Sequence, residues 1–132
     1  MSTSHFTTWL AFQKSRRLAA SIYQLAKTFP PAEKFALTDQ VIRSSRSVCA
    51  NLAEGYAKRR YPKHFISKLT DCAGENHETE VWLMFARDHN YISEEHAAIY
   101  QAACDEVSRL LSYMQRHPEK FIGQAEKAKR KA

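Results

Sequence analysis

Four stretches of the chain repeat apolar side chains at three- and four-residue steps, the spacing of one face of an α-helix. In the first, Trp9, Phe12, Ala19, Ile22, Tyr23, Ala26 and Phe29 form the stripe, and Leu18 and Leu25 widen it. Lys14, Arg17, Ser21 and Gln24 take another face. This predicts a helix from about Thr7 to Thr28, stopped at Phe29-Pro30-Pro31 because proline disfavours helical geometry in the residue before it. The second stripe, Leu37, Val41, Ser45, Val48, Leu52 and Tyr56, predicts a helix from about Leu37 to Lys58, with Thr38 as N-cap and Asp39 set against the helix dipole. Small Ser45, Cys49 and Ala53 would let a neighbouring helix come close. In the third, Pro62 suits the first turn, where its missing N–H costs nothing, and Phe65, Leu69, Cys72, Asn76 and Leu83 track one face. That helix closes at His89-Asn90-Tyr91, with Asn90 as a left-handed cap. Ser93 caps the fourth, which carries Tyr100, Ala103, Val107, Leu110 and Met114 inward and ends at Pro118.

Four such helices joined by short connections predict an all-α fold, an antiparallel up-down-up-down four-helix bundle over residues 1–117. Residues 118–132 then form a short basic C-terminal tail, with at most a loose helical turn or two around Phe121, Ile122 and Ala125. Composition agrees. Three glycines and four prolines are too few turn formers for a many-stranded sheet, and 132 residues suffice to bury a core without disulfides or a metal. One run departs from the helical period. Val81-Trp82-Leu83-Met84-Phe85-Ala86 is apolar all round, which calls for cover from its own bundle and from a second subunit. It is far too short to span a membrane. The opening residues, Met1 to Trp9, lack both a cationic leader and an apolar signal core. Cys49, Cys72 and Cys104 are odd in number and far apart, as expected of reduced, buried thiols. The expectation is a cytoplasmic protein.

Charge adds an asymmetry. Residues 1–70 carry twelve Lys/Arg against Glu33, Asp39 and Glu54, whereas residues 71–116 carry Arg87, Arg109 and Arg116 against nine acids. The tail is basic again. Such a distribution suits head-to-tail subunit contacts or a polyanion partner, unless opposite helices of one bundle simply neutralise each other.

Catalytic chemistry finds little support. A di-metal bundle site needs Glu-x-x-His pairs, and no histidine here has an acid three residues before it. His77-Glu78 lacks the second histidine of a zinc protease helix, and no phosphate loop or nucleophile elbow appears. No cofactor or metal is expected. Asp71, Glu75 and Glu78 share one face beside His77 and Glu80; a metal or acid–base site is conceivable there. An ion-paired face is the better reading, with Arg43 and Arg46 as partners. Asn51 and Glu54, three residues apart, could polarise a substrate, but a polar pair tying helix ends or closing a subunit contact is favoured. The stronger candidate is the turn after them. Lys58, Arg59, Arg60, Lys63 and Lys68 cluster there with Tyr56 and Tyr61 interleaved, a pattern suited to phosphates and stacked bases, or to an ordinary soluble loop. Lys14, Arg17, Lys58, Arg59, Arg60 and Lys63 are the candidate nucleic-acid-binding residues for RNA or DNA, and a protein-interaction scaffold is the alternative.

These residues carry a resemblance. Asn51-Leu52-Ala53-Glu54-Gly55-Tyr56, the Gly74…Glu78-x-Glu80 pattern, Ile22-Tyr23, Phe29-Pro30, Leu37-Thr38, Ile42-Arg43 and Tyr91-Ile92 are similar to motifs of the four-helix bundle proteins encoded in intervening sequences of bacterial 23S ribosomal RNA genes. The resemblance spans roughly residues 9–115. Cys49-Ala50 stands where that family often has Pro-Ser, and Ala57 where it usually has glycine; without the proline the second helix should be straighter here. The resemblance implies a non-enzymatic bundle that assembles as a cyclic homo-oligomer, typically a pentamer. A related group, the accessory variability proteins of diversity-generating retroelements, binds nucleic acid and a reverse transcriptase.

Overall fold

The computed structural model describes residues 5–123 and is all-α, with helices α1 (Leu10–Ala26), α2 (Asp39–Ala57), α3 (Pro62–Asp88) and α4 (Glu94–Arg116). Each helix packs on its sequence neighbours, and α1 closes the ring against α4, giving the antiparallel four-helix bundle that the periodicity implies. The core is one continuous cluster. Ile22, Leu52, Phe65, Leu69, Cys72, Val107 and Leu111 lie at its centre.

Several boundaries have the causes their sequences suggest. Pro62 stands in the first turn of α3. The Ser93 hydroxyl accepts from the His96 N–H at 3.0 Å, capping α4. Asn90, at φ 61°, is in the left-handed region that ends α3. Other boundaries differ. A 3₁₀ turn, Phe6–Thr8, precedes α1, which starts at Leu10 rather than Thr7. Thr38 is not a cap; it has helical dihedrals and ends a wide π turn, Lys34–Thr38, that feeds directly into α2. That turn throws the Phe35 side chain outward, 83% exposed.

Two stripes also differ from their predicted phase. Tyr23 leaves the α1 stripe for the surface, where Lys27 Nζ lies 4.6 Å and the Arg46 guanidinium 5.2 Å from its ring centre. In α4 the buried line is Cys104, Val107, Leu111 and Met114, so Leu110 and Ala103 flank it. Polar residues complete the core between α2, α3 and α4. Ser44 and Thr79 share a hydroxyl hydrogen bond of 2.8 Å, and Asn76 Nδ2 donates to the Cys104 carbonyl and to Ser108 Oγ, each at 2.9 Å. These bonds satisfy the two hydroxyls and both amide hydrogens of Asn76 inside a low-dielectric interior.

Burial pushes the Cys72 and Cys104 thiols up to about 12, keeping both protonated, while Cys49 is half-buried beside Ser15. After α4, a 3₁₀ turn at Pro118–Lys120 folds Phe121 and Ile122 back onto the bundle, so this part of the predicted tail belongs to the core. The remaining tail cations, from Lys127 onward, lie outside the described residues.

Candidate nucleic-acid interface

The antiparallel topology brings the start of α1, the end of α2, the start of α3 and the end of α4 to one end of the bundle. An aromatic cluster fixes that end. Trp9 meets Tyr56, Phe65 and Phe121 with ring centres 5.8, 6.0 and 6.0 Å apart, and Phe6 meets Phe12 and Tyr56 at 5.0 and 5.5 Å, all edge to face. Gly55 lies where α2 and α3 converge, with room for no more than a methyl group in ordinary contact. It is buried, and a Cβ on it would stand 3.4 Å from Lys68 Cβ and 3.7 Å from Phe65 Cδ1. The connection Lys58–Tyr61 caps this cluster with a turn in which the Lys58 N–H reaches the Glu54 and Gly55 carbonyls and the Tyr61 N–H reaches the Lys58 carbonyl.

The cations predicted around this turn fall into two groups. Arg59 is drawn into the fold: its guanidinium lies 4.0 Å from the Tyr56 ring centre, and Nη1 donates to the Tyr56 carbonyl at 2.9 Å. Lys68 bridges Glu54 at 3.0 Å and Asp71 at 3.4 Å; the Glu54 hydrogen bond raises its pKa against the opposing effect of burial. Lys14 pairs with Glu106 across the α1–α4 seam at 3.6 Å. Lys58, Arg60 and Lys63 are the other group, exposed and without a carboxylate partner among the described residues, and the exposed rings of Tyr61 and His64 stand among them. Arg17 is also exposed. It lines a groove of about 620 Å³ between α1 and α4, together with Leu18, Leu25, Ile99 and Ala103 and with Lys14 and Glu106.

The acidic stripe of α3 is an ion-paired face. Arg43 donates to both Glu75 oxygens at 3.3 Å and to Glu78, and Ser47 Oγ adds a 2.7 Å bond to Glu75. Trp82 Nε1 donates to Glu78 at 3.3 Å. Glu80 is held by Gln101 at 2.7 Å and lies 2.8 Å from His77 Nδ1. Of the two arginines expected to serve this stripe, Arg43 does and Arg46 sits over Tyr23 instead. Asn51 and Glu54 act separately: Glu54 ties α2 to α3 through Lys68, whereas Asn51 Nδ2 donates to the Ser47 carbonyl and hydroxyl one turn back. Among the described residues, no group of three or more His, Cys, Asp or Glu side chains is arranged to hold a metal ion.

Burial alone would raise the Glu75 carboxyl, but hydrogen bonds from Arg43 and Ser47 outweigh it and hold its pKa below the usual carboxylate value. A carboxylate depressed in the folded state contributes stability above its unfolded pKa and loses it as pH falls through the folded value. Arg43→Met should therefore lower stability at pH 7 by about 1 kcal/mol, the scale of a partly exposed ion-pair network. The deficit should shrink at pH 3, and urea midpoints of both proteins at the two pH values measure it.

Comparison with known proteins agrees with this architecture. No curated protein sequence matches the chain. A crystal structure of a protein of unknown function from the S23 ribosomal protein family of Bacteroides thetaiotaomicron is similar, with a TM-score of 0.73 and 28% sequence identity over 81% of this chain and 96% of that one. The sequence profile of the 23S rRNA-intervening sequence protein family matches residues 8–113, from the turn before α1 almost to the end of α4. The chain belongs to the 23S rRNA-intervening sequence protein family.

Proposed function

We propose that this protein is a non-enzymatic, self-assembling bundle that binds nucleic acid, RNA or DNA, through its basic end. One observation carries the reading: Lys58, Arg60 and Lys63 stay exposed and uncompensated on a turn held by an aromatic core, while Arg59, Lys14 and Lys68 around them are all engaged. Cations with no structural employment on a fixed surface suit phosphate contacts. Helix α1 contains Lys14, Arg16 and Arg17 and no acid, which extends the positive field down one side.

Each phosphate neutralised on a single strand changes log K by about −0.7 per decade of salt, and on a duplex by about −0.9. Three contacts from Lys58, Arg60 and Lys63 set a slope of about −2 to −3 in a filter-binding titration of structured RNA. Absence of binding at low salt, or binding indifferent to salt, rules the reading out.

Assembly is supported by the apolar run of α3. Leu83 and Ala86 turn inward, but Val81, Met84 and Phe85 stay 42–45% exposed on one side. Beside them Trp82, Phe85 and His89 line a groove of about 310 Å³ against Ala36 and Leu37. A cyclic homo-oligomer, a pentamer by resemblance, would cover this face with one repeated head-to-tail contact. The scaffold reading keeps the assembly and removes the nucleic acid. Lys58→Glu with Arg60→Glu would then alter partner capture and leave RNA affinity unchanged.

A further inference from the structure

The two tyrosines of the basic turn have different fates. Tyr56 is half-buried, packed edge-on by Phe6 and Trp9 and covered by the Arg59 guanidinium, so both its surroundings and its charge partner belong to the fold. Tyr61 is 58% exposed. Its one aromatic neighbour, the exposed His64, meets it at 73° with ring centres 5.9 Å apart, a geometry that covers at most one face of the tyrosine. The ring is nevertheless well placed. Pro62 follows it and restricts its backbone, which is extended at φ −116° and ψ 93°, and the Tyr61 N–H and carbonyl are tied to Lys58 and Phe65. An aromatic face held outward by a constrained backbone, with Arg60 and Lys63 on either side in sequence and Lys58 three residues before it, has no task in the core.

We propose that this site takes unpaired nucleotides in preference to duplex, with Tyr61 as the stacking surface for one base and Lys58, Arg60 and Lys63 holding the flanking phosphates. The inference rests on the nucleic-acid reading above and adds the class of ligand. Inside a duplex each base face is already covered by its neighbours, so an exposed ring gains nothing along its length and only the cations contribute. An unpaired base offers a free face, and every base has one, so the preference is for strandedness rather than sequence. Unpaired loops and ends of a folded RNA present the same chemistry, with phosphates at the same spacing as a free strand.

The test uses the full chain and fluorescence anisotropy with three probes at one ionic strength: a short oligouridylate, an oligothymidylate of equal length, and a blunt RNA duplex. Tyr61→Ala should weaken both single strands by about 5- to 150-fold, the range for loss of one base–aromatic stack, and leave the duplex within about twofold. Tyr61→Phe keeps the ring and should restore single-strand affinity. Lys63→Ala should weaken all three probes and flatten their salt dependence. Equal loss on all probes, or no loss on any, with Tyr61→Ala overturns the stacking assignment and leaves phosphate binding standing. If the unaltered protein binds none of the probes, the nucleic-acid reading itself fails. Circular dichroism of each variant checks that the bundle is intact; the exposure of Tyr61 makes misfolding of the alanine variant unexpected.

Discussion

Replacing Phe65 with alanine should cost about 3–5 kcal/mol of folding stability, the range for emptying a buried phenylalanine site. A domain of this size has about 5–15 kcal/mol in all, so a single substitution removes a large share of it. Three features of the position set the magnitude. The ring has no exposed surface, it lies against Gly55 on the neighbouring helix, and it meets Trp9 at 6.0 Å. The ring is held on the other sides by the packed backbone of α2 and by Trp9, so the surroundings relax only partially into the cavity. Phe65→Leu retains much of the volume and should cost less than half as much. Urea denaturation followed by tryptophan fluorescence gives both values, with a shift in midpoint at constant slope as the sign of a pure stability change. A loss below 1 kcal/mol for the alanine variant would place Phe65 outside the cooperative core. The same substitution has a second consequence. Phe65 belongs to the first turn of α3 and to the cluster beneath Lys58–Tyr61, so loosening it should also blur the positions of the cations that turn displays.

Helix number, order and pairing were legible because each helix buries one stripe and exposes the rest. Leu52, Leu69, Val107 and Ile22 stand where the three- and four-residue steps put them. Errors arose where the pattern was degenerate. Leu110 and Leu111 are adjacent, so either could centre the α4 stripe, and only packing against the other three helices selects Leu111. Tyr23 carries an apolar ring at a stripe position, yet two cations share its face at the surface. The π turn before α2 was invisible for a related reason: Phe35 looks like a core residue, and a one-residue widening of the helix is what points it outward.

The site was legible as a cluster but not as a set of roles. Sequence places Lys58, Arg59, Arg60, Lys63 and Lys68 within eleven residues and ranks them equally. Which are spent on the fold depends on contacts between helices. Lys68 faces Glu54 because α2 and α3 are antiparallel, and Lys14 meets Glu106 because α1 closes against α4. Arg59 folds back over Tyr56, a local contact that spacing alone leaves open, since Arg60 lies within similar reach in sequence. Arg43 was easier. The three acids Asp71, Glu75 and Glu78 recur on one face of α3 and call for a cation on the facing helix, which Arg43 supplies to two of them.

The exposed side of the α3 apolar run leads to the last expected result: Met84→Glu combined with Phe85→Glu should reduce the protein to a single chain of 15.2 kDa in light scattering, with its helical content intact. Val81, Met84 and Phe85 are spaced i, i+3 and i+4, so they form one continuous ridge rather than scattered surface residues. Leu83 and Ala86, on the other side of the helix, are buried in the core and their packing holds the ridge in place. A ridge of this kind loses contact with water when a second copy covers it, and two carboxylates there would have to be desolvated without partners, at a cost of several kcal/mol per contact. In a ring built from one repeated contact, that cost falls on every interface, so the assembly dissociates in full instead of shedding one subunit. The fold should tolerate the change because both positions already face solvent in the isolated chain. Two results would reject this surface: an unaltered protein that scatters as 15.2 kDa, or a double variant that keeps the mass of the parent.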